Sequence, residues 1–335
     1  MRNEGRWLAA LAAISIGLIV VVAIVGWVRL HEAPRAPEGP AEPVAFRVEP
    51  GEGFAHVARR LEEEGLVVSA QRFEILARIV GLDRDIRSGT FLFTVGTPPR
   101  TILDDLVTGK VRLLGFTVPE GWRLDQIAAE AESTLGTPAA EFLAAASDSA
   151  RRAELGCAST TLEGYLFPET YRFPDGVGAA EVVAAMTDRF VAEWEALEGD
   201  PPQELDRHGV VTLASIVEAE TSVPEERPRV AAVYLNRLER GMRLQADPTV
   251  RYALGRFHGR LYYKHLDVES PYNTYSVYGL PPGAIAAPGR AALQAVLAPL
   301  EPCDDLYFVA SGDGGHIFSR TKAEHDRAKR VARGR

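Results

Sequence analysis

The chain has 335 residues, of which 46% are hydrophobic and 25% are charged, so it has enough apolar material for more than one folded unit. Its formal net charge of -9 excludes a general electrostatic attraction to nucleic acid, because binding to phosphates requires a basic surface. Cys157 and Cys303 belong to no Cys/His pattern of metal-binding spacing, so they indicate neither a redox state nor a metal. We expect no metal and no cofactor. Both cysteines are interpreted as ordinary packed residues, with a single disulfide as the alternative.

The first predicted element is a membrane-spanning helix. Residues 7–28 carry no charged side chain, and as a helix they would be ~33 Å long, enough to cross the hydrocarbon core. Trp7 and Trp27 lie at the two ends of the run, where indole rings favour the headgroup region. No small-x-small cleavage site follows, so we expect residues 1–30 to be an uncleaved anchor. The flanking charges are nearly balanced and do not determine its orientation.

Residues 31–43 are predicted to form a stiff stalk. Prolines recur there at every third position, as Pro34, Pro37, Pro40 and Pro43. This spacing favours extended polyproline II, which rises ~3.1 Å per residue and excludes a helix. The stalk would therefore hold the following residues away from the bilayer surface.

A repeat with an offset of 70 residues follows the stalk. It aligns strand residues and a turn glycine in two segments: Phe46, Val48 and Gly51 with Phe116, Val118 and Gly121. Over residues 44–94 the patterns predict the order strand, helix, helix, strand, and a third helix begins at the prolines that follow. This is the order of a LysM-type carbohydrate-binding module, although many other small α+β units share it. We expect a LysM-like subdomain over residues 44–110.

Residues 111–335 are predicted to form a mixed α/β catalytic domain, so the fold class as a whole is α+β. A long helical stretch at 178–197 is followed by a second helix at 208–222 and by a tyrosine-rich region with many turns. Two short strands around a glycine-rich turn at 306–319 and a basic helix at 321–335 complete the chain.

The helix at 208–222 carries two glutamates in an almost entirely apolar sequence. At about 100° per residue, its apolar side chains cover most of the surface and leave only Ser215 and Ala219 outside the apolar arc. Glu218 and Glu220 fall inside the arc but about 200° apart, so they cannot both point into one small cleft unless the helix ends between them. A carboxyl on an apolar face resists ionisation, and a general acid requires a raised pKa. The alternative is a salt-bridged residue at the rim of the core.

Six of the ten tyrosines lie between Tyr252 and Tyr278. Aromatic rings suit the C–H faces of sugars, and Asn273 and Thr274 in the same segment offer hydrogen bonds to sugar hydroxyls. The alternative is ordinary aromatic packing in a core. Pro281 and Pro282, with the glycine after them, predict a rigid loop beside the site.

Other chemistries lack their motifs. The chain contains no GxSxG elbow, no HExxH, no GxxxxGK[ST] loop and no GxGxxG between a strand and a helix. His316, at the start of a strand, is interpreted as structural. Carboxylates are therefore the main remaining catalytic groups.

Five segments in order closely resemble the MltG/YceG-like endolytic transglycosylases: LEGYLFPETY at 162–171, ASIVEAET at 214–221, VAAVYLNRLERGMRLQADPT at 230–249, YNTYSVYGLPPGAIAAPG at 272–289 and LYFVA at 306–310. The resemblance covers nearly all of the chain after the stalk. It implies a single-pass inner-membrane protein with a cytoplasmic N-terminus and an extracytoplasmic catalytic domain.

The resemblance also implies an activity. The family cleaves the MurNAc-GlcNAc β-1,4 bond inside nascent glycan strands and leaves 1,6-anhydro-MurNAc ends. It acts in the company of peptidoglycan synthases as a terminator of strand elongation. Because the sugar's own 6-hydroxyl replaces water, one glutamate suffices, unlike the carboxylate pair of most glycosidases.

The matching motifs imply the site residues. The first glutamate of ASIVEAET, Glu218, is expected to be catalytic, and the replacement of the commoner lysine by Ala219 does not threaten this assignment. Other motif positions are expected to line or shape the substrate groove: Glu163, Tyr165, Asn236, Gln245, Asp247, Asn273, Tyr275 and Pro282.

Two other functions remain open. The chain could be a membrane-tethered glycan-binding protein without catalysis, for which a glutamate on an apolar helix face has no purpose. It could also be a water-using muramidase in which Glu218 pairs with Glu220 or Glu163. A muramidase leaves a reducing sugar end, whereas a transglycosylase leaves an anhydro end.

Overall fold

The computed structural model describes residues 21–23, 25–35, 43–109, 113–174, 176–202, 205–257, 259 and 261–333. Most of the predicted anchor and of the stalk lies outside these residues, and no described helix is long and apolar enough to cross a membrane. The chain divides into two compact units, Met1–Leu114 with Pro174–Gly176 and Gly115–Phe173 with Val177–Arg335.

The first unit has the order strand, helix, helix, strand, helix, which confirms the predicted order of its elements. They are β1 (Val44–Val48), α1 (Phe54–Glu63), α2 (Ala70–Val80), β2 (Gly89–Phe93) and α3 (Pro99–Thr108). The two strands pair antiparallel with Val44 opposite Phe93. Alternate strand residues and one face of each helix close a single apolar core around Phe46, Phe73 and Phe91.

The elements from residue 113 onwards are mostly helical. They are β3 (Leu113–Thr117), α4 (Leu124–Leu135), α5 (Ala139–Ala145), α6 (Ser149–Glu154), β4 (Thr170–Pro174), α7 (Ala179–Glu195), α8 (Arg207–Glu220), α9 (Arg227–Glu239), α10 (Asp247–Leu254), α11 (Arg290–Leu297), β5 (Tyr307–Ala310), β6 (His316–Ser319) and α12 (Lys322–Arg333). Single turns of 3-10 helix lie at Pro224–Glu226 and Tyr263–His265. The described strands form three two-stranded sheets, β1-β2, β3-β4 and β5-β6.

Helix α8 is the central helix of the second unit. Asp206 caps it by accepting a hydrogen bond from the N–H of Gly209 at 2.8 Å. It packs against α9, α10 and α11, and its apolar side chains between Val210 and Val217 are fully buried. Ser215, which lies outside the predicted apolar arc, is also buried and accepts a hydrogen bond from the N–H of Ile285. A helix enclosed on most sides needs apolar residues nearly all round, which explains its sequence.

The hairpin of β5 and β6 confirms the predicted glycine-rich turn. Tyr307 is opposite Ser319 and Ala310 is opposite His316. Gly312 and Gly314 have φ angles of 91° and 101°, which a residue with a Cβ adopts only at a cost. The hairpin leads directly into α12. Both cysteines are free, so the disulfide alternative is wrong.

Candidate active site

A cavity of about 700 Å³ lies in the second unit. The end of α8, helices α9 and α10, the segment at 261–275, the β5-β6 hairpin and α12 all contribute to its wall. This volume is within the usual range for small-ligand sites. The cavity combines two carboxyl groups, several tyrosines and several basic side chains.

Glu220 is the last residue of α8 and lies on the cavity wall. The hydroxyl of Tyr234, on α9, donates a hydrogen bond of 2.5 Å to its Oε1. Removal of the carboxyl from water raises the pKa of Glu220 to about 7; the Tyr234 hydrogen bond opposes this rise and the charge of Asp247 adds to it. A carboxyl with this pKa exchanges a proton readily near neutral pH, as an acid/base catalyst must.

Glu218 lies away from this cavity. Its Oε1 accepts a hydrogen bond of 2.9 Å from Arg227, the first residue of α9, and its Oε2 accepts one of 3.1 Å from the N–H of Gly289. Burial raises the pKa of Glu218, and the Gly289 N–H and Arg227 oppose that rise. The predicted separation of the two glutamates around the helix is confirmed, because their carboxyls meet different neighbours.

Three of the eight predicted groove residues line the cavity with Glu220: Gln245, Asp247 and Tyr275. The hydroxyl of Tyr275 donates to Oδ1 of Asp247 at 2.6 Å. Gln245 has a φ angle of 51°, a rare conformation for a residue other than glycine, and its N–H donates to the carbonyl of Thr274. Such local strain is concentrated at functional sites, where the surrounding structure maintains it.

Buried threonines hold these three residues in place. The side-chain hydroxyls of Thr249, on α10, and Thr274 lie 2.8 Å apart, and Thr274 Oγ1 also accepts from the N–H of Ala246. The pair therefore ties the start of α10, where Asp247 lies, to the segment that carries Tyr275.

Asn273 belongs to this framework and does not line the cavity. It is fully buried, and its side-chain amide donates to the carbonyls of Leu266 and Val268 at 2.8 and 2.9 Å. Asn273 Oδ1 accepts from the N–H of Tyr275 at 3.0 Å. It therefore shapes the tyrosine-rich segment.

The other four predicted groove residues also form internal contacts away from the cavity. Asn236 donates to the carbonyls of Cys303 and Asp305. Tyr165 is buried and hydrogen-bonded to His208 Nδ1, whose Nε2 lies 2.9 Å from the carbonyl oxygen of Pro282. The structure thus links Tyr165 to Pro282 through one histidine.

Glu163 is a second buried carboxyl. It accepts a hydrogen bond of 2.9 Å from the N–H of Leu124, at the start of α4, and one of 3.3 Å from the hydroxyl of Tyr252 on α10. Burial raises its pKa to about 8. Glu163 joins these two helices, and it does not line the cavity that contains Glu220.

Sequence reasoning missed much of the cavity wall. The residues it did not select are Tyr234, Arg237, Leu261, Leu266, Tyr307, Phe308, Val309, Ala310, His316, Lys322, His325 and Lys329. Tyr262 and Tyr263, from the tyrosine-rich segment singled out for sugar contacts, do line the cavity. His316, interpreted as structural, lies on the wall, and its Nδ1 is within hydrogen-bond distance of Glu226 Oε2 at 2.7 Å. The available signal for two of them was the i, i+3 spacing of Tyr234 and Arg237, which places both side chains on one face of a helix. Among the described residues, no cluster of His, Cys, Asp or Glu suits a metal ion.

Comparisons with known proteins match nearly all of this chain after the stalk. The model of the YceG-like family matches residues 46–331. A relative from Bacillus subtilis named endolytic murein transglycosylase is 31% identical over 85% of this chain and 84% of its own length. One of the same name from Streptococcus pneumoniae is 27% identical over 85% of this chain, which spans only 57% of that relative.

A solved structure adds a fold comparison. The crystal structure of a yceG-like protein from Listeria monocytogenes aligns with a TM-score of 0.56 and 29% sequence identity. The alignment covers 86% of this chain and 99% of that one.

Proposed function

Since the chain belongs to the YceG-like family, we propose that it is an endolytic murein transglycosylase in which Glu220 is the acid/base. Two relatives that carry this name support the reaction class. The position and pKa of Glu220 carry the assignment of the residue, because this carboxyl is on the cavity wall and changes its charge near neutral pH. The motif instead implies Glu218 as the catalytic residue, and that prediction is tested by measuring cleavage by variants of both glutamates.

A single carboxyl accounts for both proton transfers. Protonated Glu220 gives its proton to the oxygen of the MurNAc-GlcNAc bond, and the bond from that oxygen to MurNAc C1 breaks. The resulting carboxylate then takes the proton of the MurNAc 6-hydroxyl as O6 bonds to C1, which leaves a 1,6-anhydro end. The group returns to its protonated state, and no water is consumed.

The neighbours of Glu220 have distinct roles in this reaction. Tyr234 orients the carboxyl and stabilises its charged form between the two proton transfers. Asp247, held by Tyr275, places a second carboxyl in the cavity wall. Its negative charge would favour the positive charge that develops on the sugar ring as the bond to C1 breaks.

Asp247 also supports the second candidate function, a water-using muramidase. Most glycoside hydrolases use two carboxyl groups in one site. One is the general acid, and the other either activates a water molecule as a base or attacks the sugar as a nucleophile. Mass spectrometry of purified, uncrosslinked strands cleaved by the full chain in detergent separates the two reactions. We expect anhydro-MurNAc ends. Reducing MurNAc ends would establish the muramidase, and intact strands that remain bound would establish a binding protein.

The location and the partners are further parts of the proposal. Residues 7–28 would anchor the chain in the inner membrane with the catalytic domain outside the cytoplasm. The unit over residues 44–110 would be LysM-like and bind glycan beside the cleavage site. Cleavage in the company of peptidoglycan synthases would terminate strand elongation. These points are supported by the apolar run, the strand and helix order, and the family resemblance.

A further inference from the structure

The wall of the cavity contributed by α12 carries two lysines in a chain that has very few. Only four lysines occur among the 37 lysines and arginines of the sequence, yet Lys322 and Lys329 both line the cavity that contains Glu220. With His325 between them, they have the i, i+3 and i+7 spacing that places side chains on one face of a helix.

The two ammonium groups differ in their contacts. Lys322 forms an ion pair with Asp326, one turn along the helix. Lys329 is half-buried and, among the described residues, makes no hydrogen bond or salt bridge; its charge also acts on Asp326, whose carboxylate is already paired with Lys322. A half-buried ammonium group loses part of its hydration and gains most from a carboxylate partner. The wall therefore has an available positive charge where a ligand would lie.

Among the α12 residues on the wall, the two lysines carry the positive charge, and His325 contributes an aromatic surface. Its ring is buried and stacks on Tyr307 with centroids 5.2 Å apart. Burial lowers the pKa of His325, and the positive charges of Lys329 and Lys322 lower it further, which favours the neutral ring. This aromatic pair belongs to the same cavity wall as the two lysines.

We propose that Lys329, assisted by Lys322, binds a carboxylate of the stem peptide on the glycan strand, so that the cavity selects strands that bear peptides. This inference rests on the proposed function, because it takes murein as the ligand. The sugar rings of an intact strand are neutral, and its carboxylates lie on the peptides attached to the MurNAc lactyl group. A cavity that combines these cations with Glu220 distinguishes such a strand from a neutral polysaccharide.

The test compares strands with and without stem peptides. Fluorescently labelled strands are titrated with the full chain in detergent, either intact or after removal of the peptides with an amidase, which leaves a single carboxylate on each lactyl group. We expect Lys329→Gln to weaken binding of intact strands roughly fivefold, the upper range for a partly exposed ion pair, and to leave binding of the stripped strands unchanged. High salt should reduce the difference.

Arg330→Gln is the matched control, because it removes the same charge from the next position of α12 and Arg330 does not line the cavity. It should bind both kinds of strand as the unaltered protein does. Equal weakening of both kinds by Lys329→Gln, weakening of the stripped strands alone, or no weakening at all would overturn this inference. Absence of binding by the unaltered protein would overturn the proposed function with it, whereas normal binding that Lys329→Gln leaves intact overturns the inference alone.

Discussion

Replacing Tyr234 with phenylalanine should move the pH dependence of cleavage to higher pH. The substitution removes one hydroxyl, which donates the 2.5 Å hydrogen bond to Glu220, and keeps the buried ring. That bond stabilises the charged carboxylate and so lowers the pKa of Glu220, which is about 7 with the bond in place. The variant's pKa must therefore be higher.

The strength of the hydrogen bond gives the size of the change. A hydrogen bond to a charged group contributes about 1.5–3 kcal/mol. Since one pKa unit corresponds to about 1.4 kcal/mol, the pKa of Glu220 should rise by roughly one to two pH units. Cleavage begins with protonated Glu220, so the rate declines as pH rises through this pKa, and in the variant the decline should begin at correspondingly higher pH.

The assay is kcat/KM for formation of anhydro ends, measured across the pH range for the unaltered protein and for Tyr234→Phe. Tyr307→Phe is the control, because it removes a hydroxyl from the same cavity wall without contact to Glu220. The kcat/KM of Tyr307→Phe should decline over the same pH range as that of the unaltered protein, even if its absolute value differs. If the kcat/KM of Tyr234→Phe declined over the same pH range as that of the unaltered protein, or at lower pH, the role given to this hydrogen bond would be refuted.

Three further outcomes are expected. The carboxyl of Glu163 has a pKa of about 8 in the folded protein against an ordinary 4.5, so the stability it contributes is present below 4.5 and is lost as pH rises through 8. The Tm deficit of Glu163→Gln relative to the unaltered protein should therefore shrink between about pH 5 and pH 9. A deficit that stays constant would contradict this pKa. Gly164→Ala should cost about 2–4 kcal/mol of unfolding free energy, because the φ of Gly164 is 84° and a Cβ there would meet Ala284 Cβ at 2.4 Å. Gly241→Ala is the control and should cost only about 1 kcal/mol, because Gly241 has a φ of 63° but open space around it. Equal losses of the two variants in chemical denaturation would argue against the clash. A variant that begins at Val44 should stay dissolved without detergent and show mixed helix and strand by circular dichroism, because the one long apolar run is removed; aggregation of well-expressed protein would contradict this.

Local patterns predicted the elements well. The alternating residues of β1 and β2, the helix that begins at the prolines before Ile102, and the glycine-rich hairpin turn all occur where their short-range signals lie. The near-apolar helix α8 and the divergence of its two glutamates also followed from helical periodicity. These features depend on residues a few positions apart, so the sequence alone contains the information.

The choice between the two glutamates depended on distant residues. Glu218 meets Gly289 and Arg227, whereas Glu220 meets Tyr234, and nothing near α8 in sequence tells which neighbour lines a cavity. The same holds for α12, whose lysines reach the cavity because the β5-β6 hairpin returns the chain to it. Motif matching likewise grouped framework residues with cavity residues, since a buried amide such as Asn273 and an exposed ligand-binding side chain look alike in a sequence.

The most direct test of the central claim compares Glu220→Gln with Glu218→Gln. Each substitution keeps the shape of the side chain and removes its ability to exchange a proton, and the two positions lie on one helix two residues apart. Formation of anhydro-MurNAc ends from uncrosslinked strands is measured beside a melting curve for each full-length variant. We expect Glu220→Gln to fold and bind strands while its cleavage rate falls at least ~10²-fold, the lower range for general acid/base catalysis. Glu218→Gln should keep much of its cleavage rate but have a lower Tm, because it loses the charge that pairs with Arg227. Near-normal anhydro product from Glu220→Gln, with its loss from a folded Glu218→Gln, would contradict the account and return the catalytic role to Glu218.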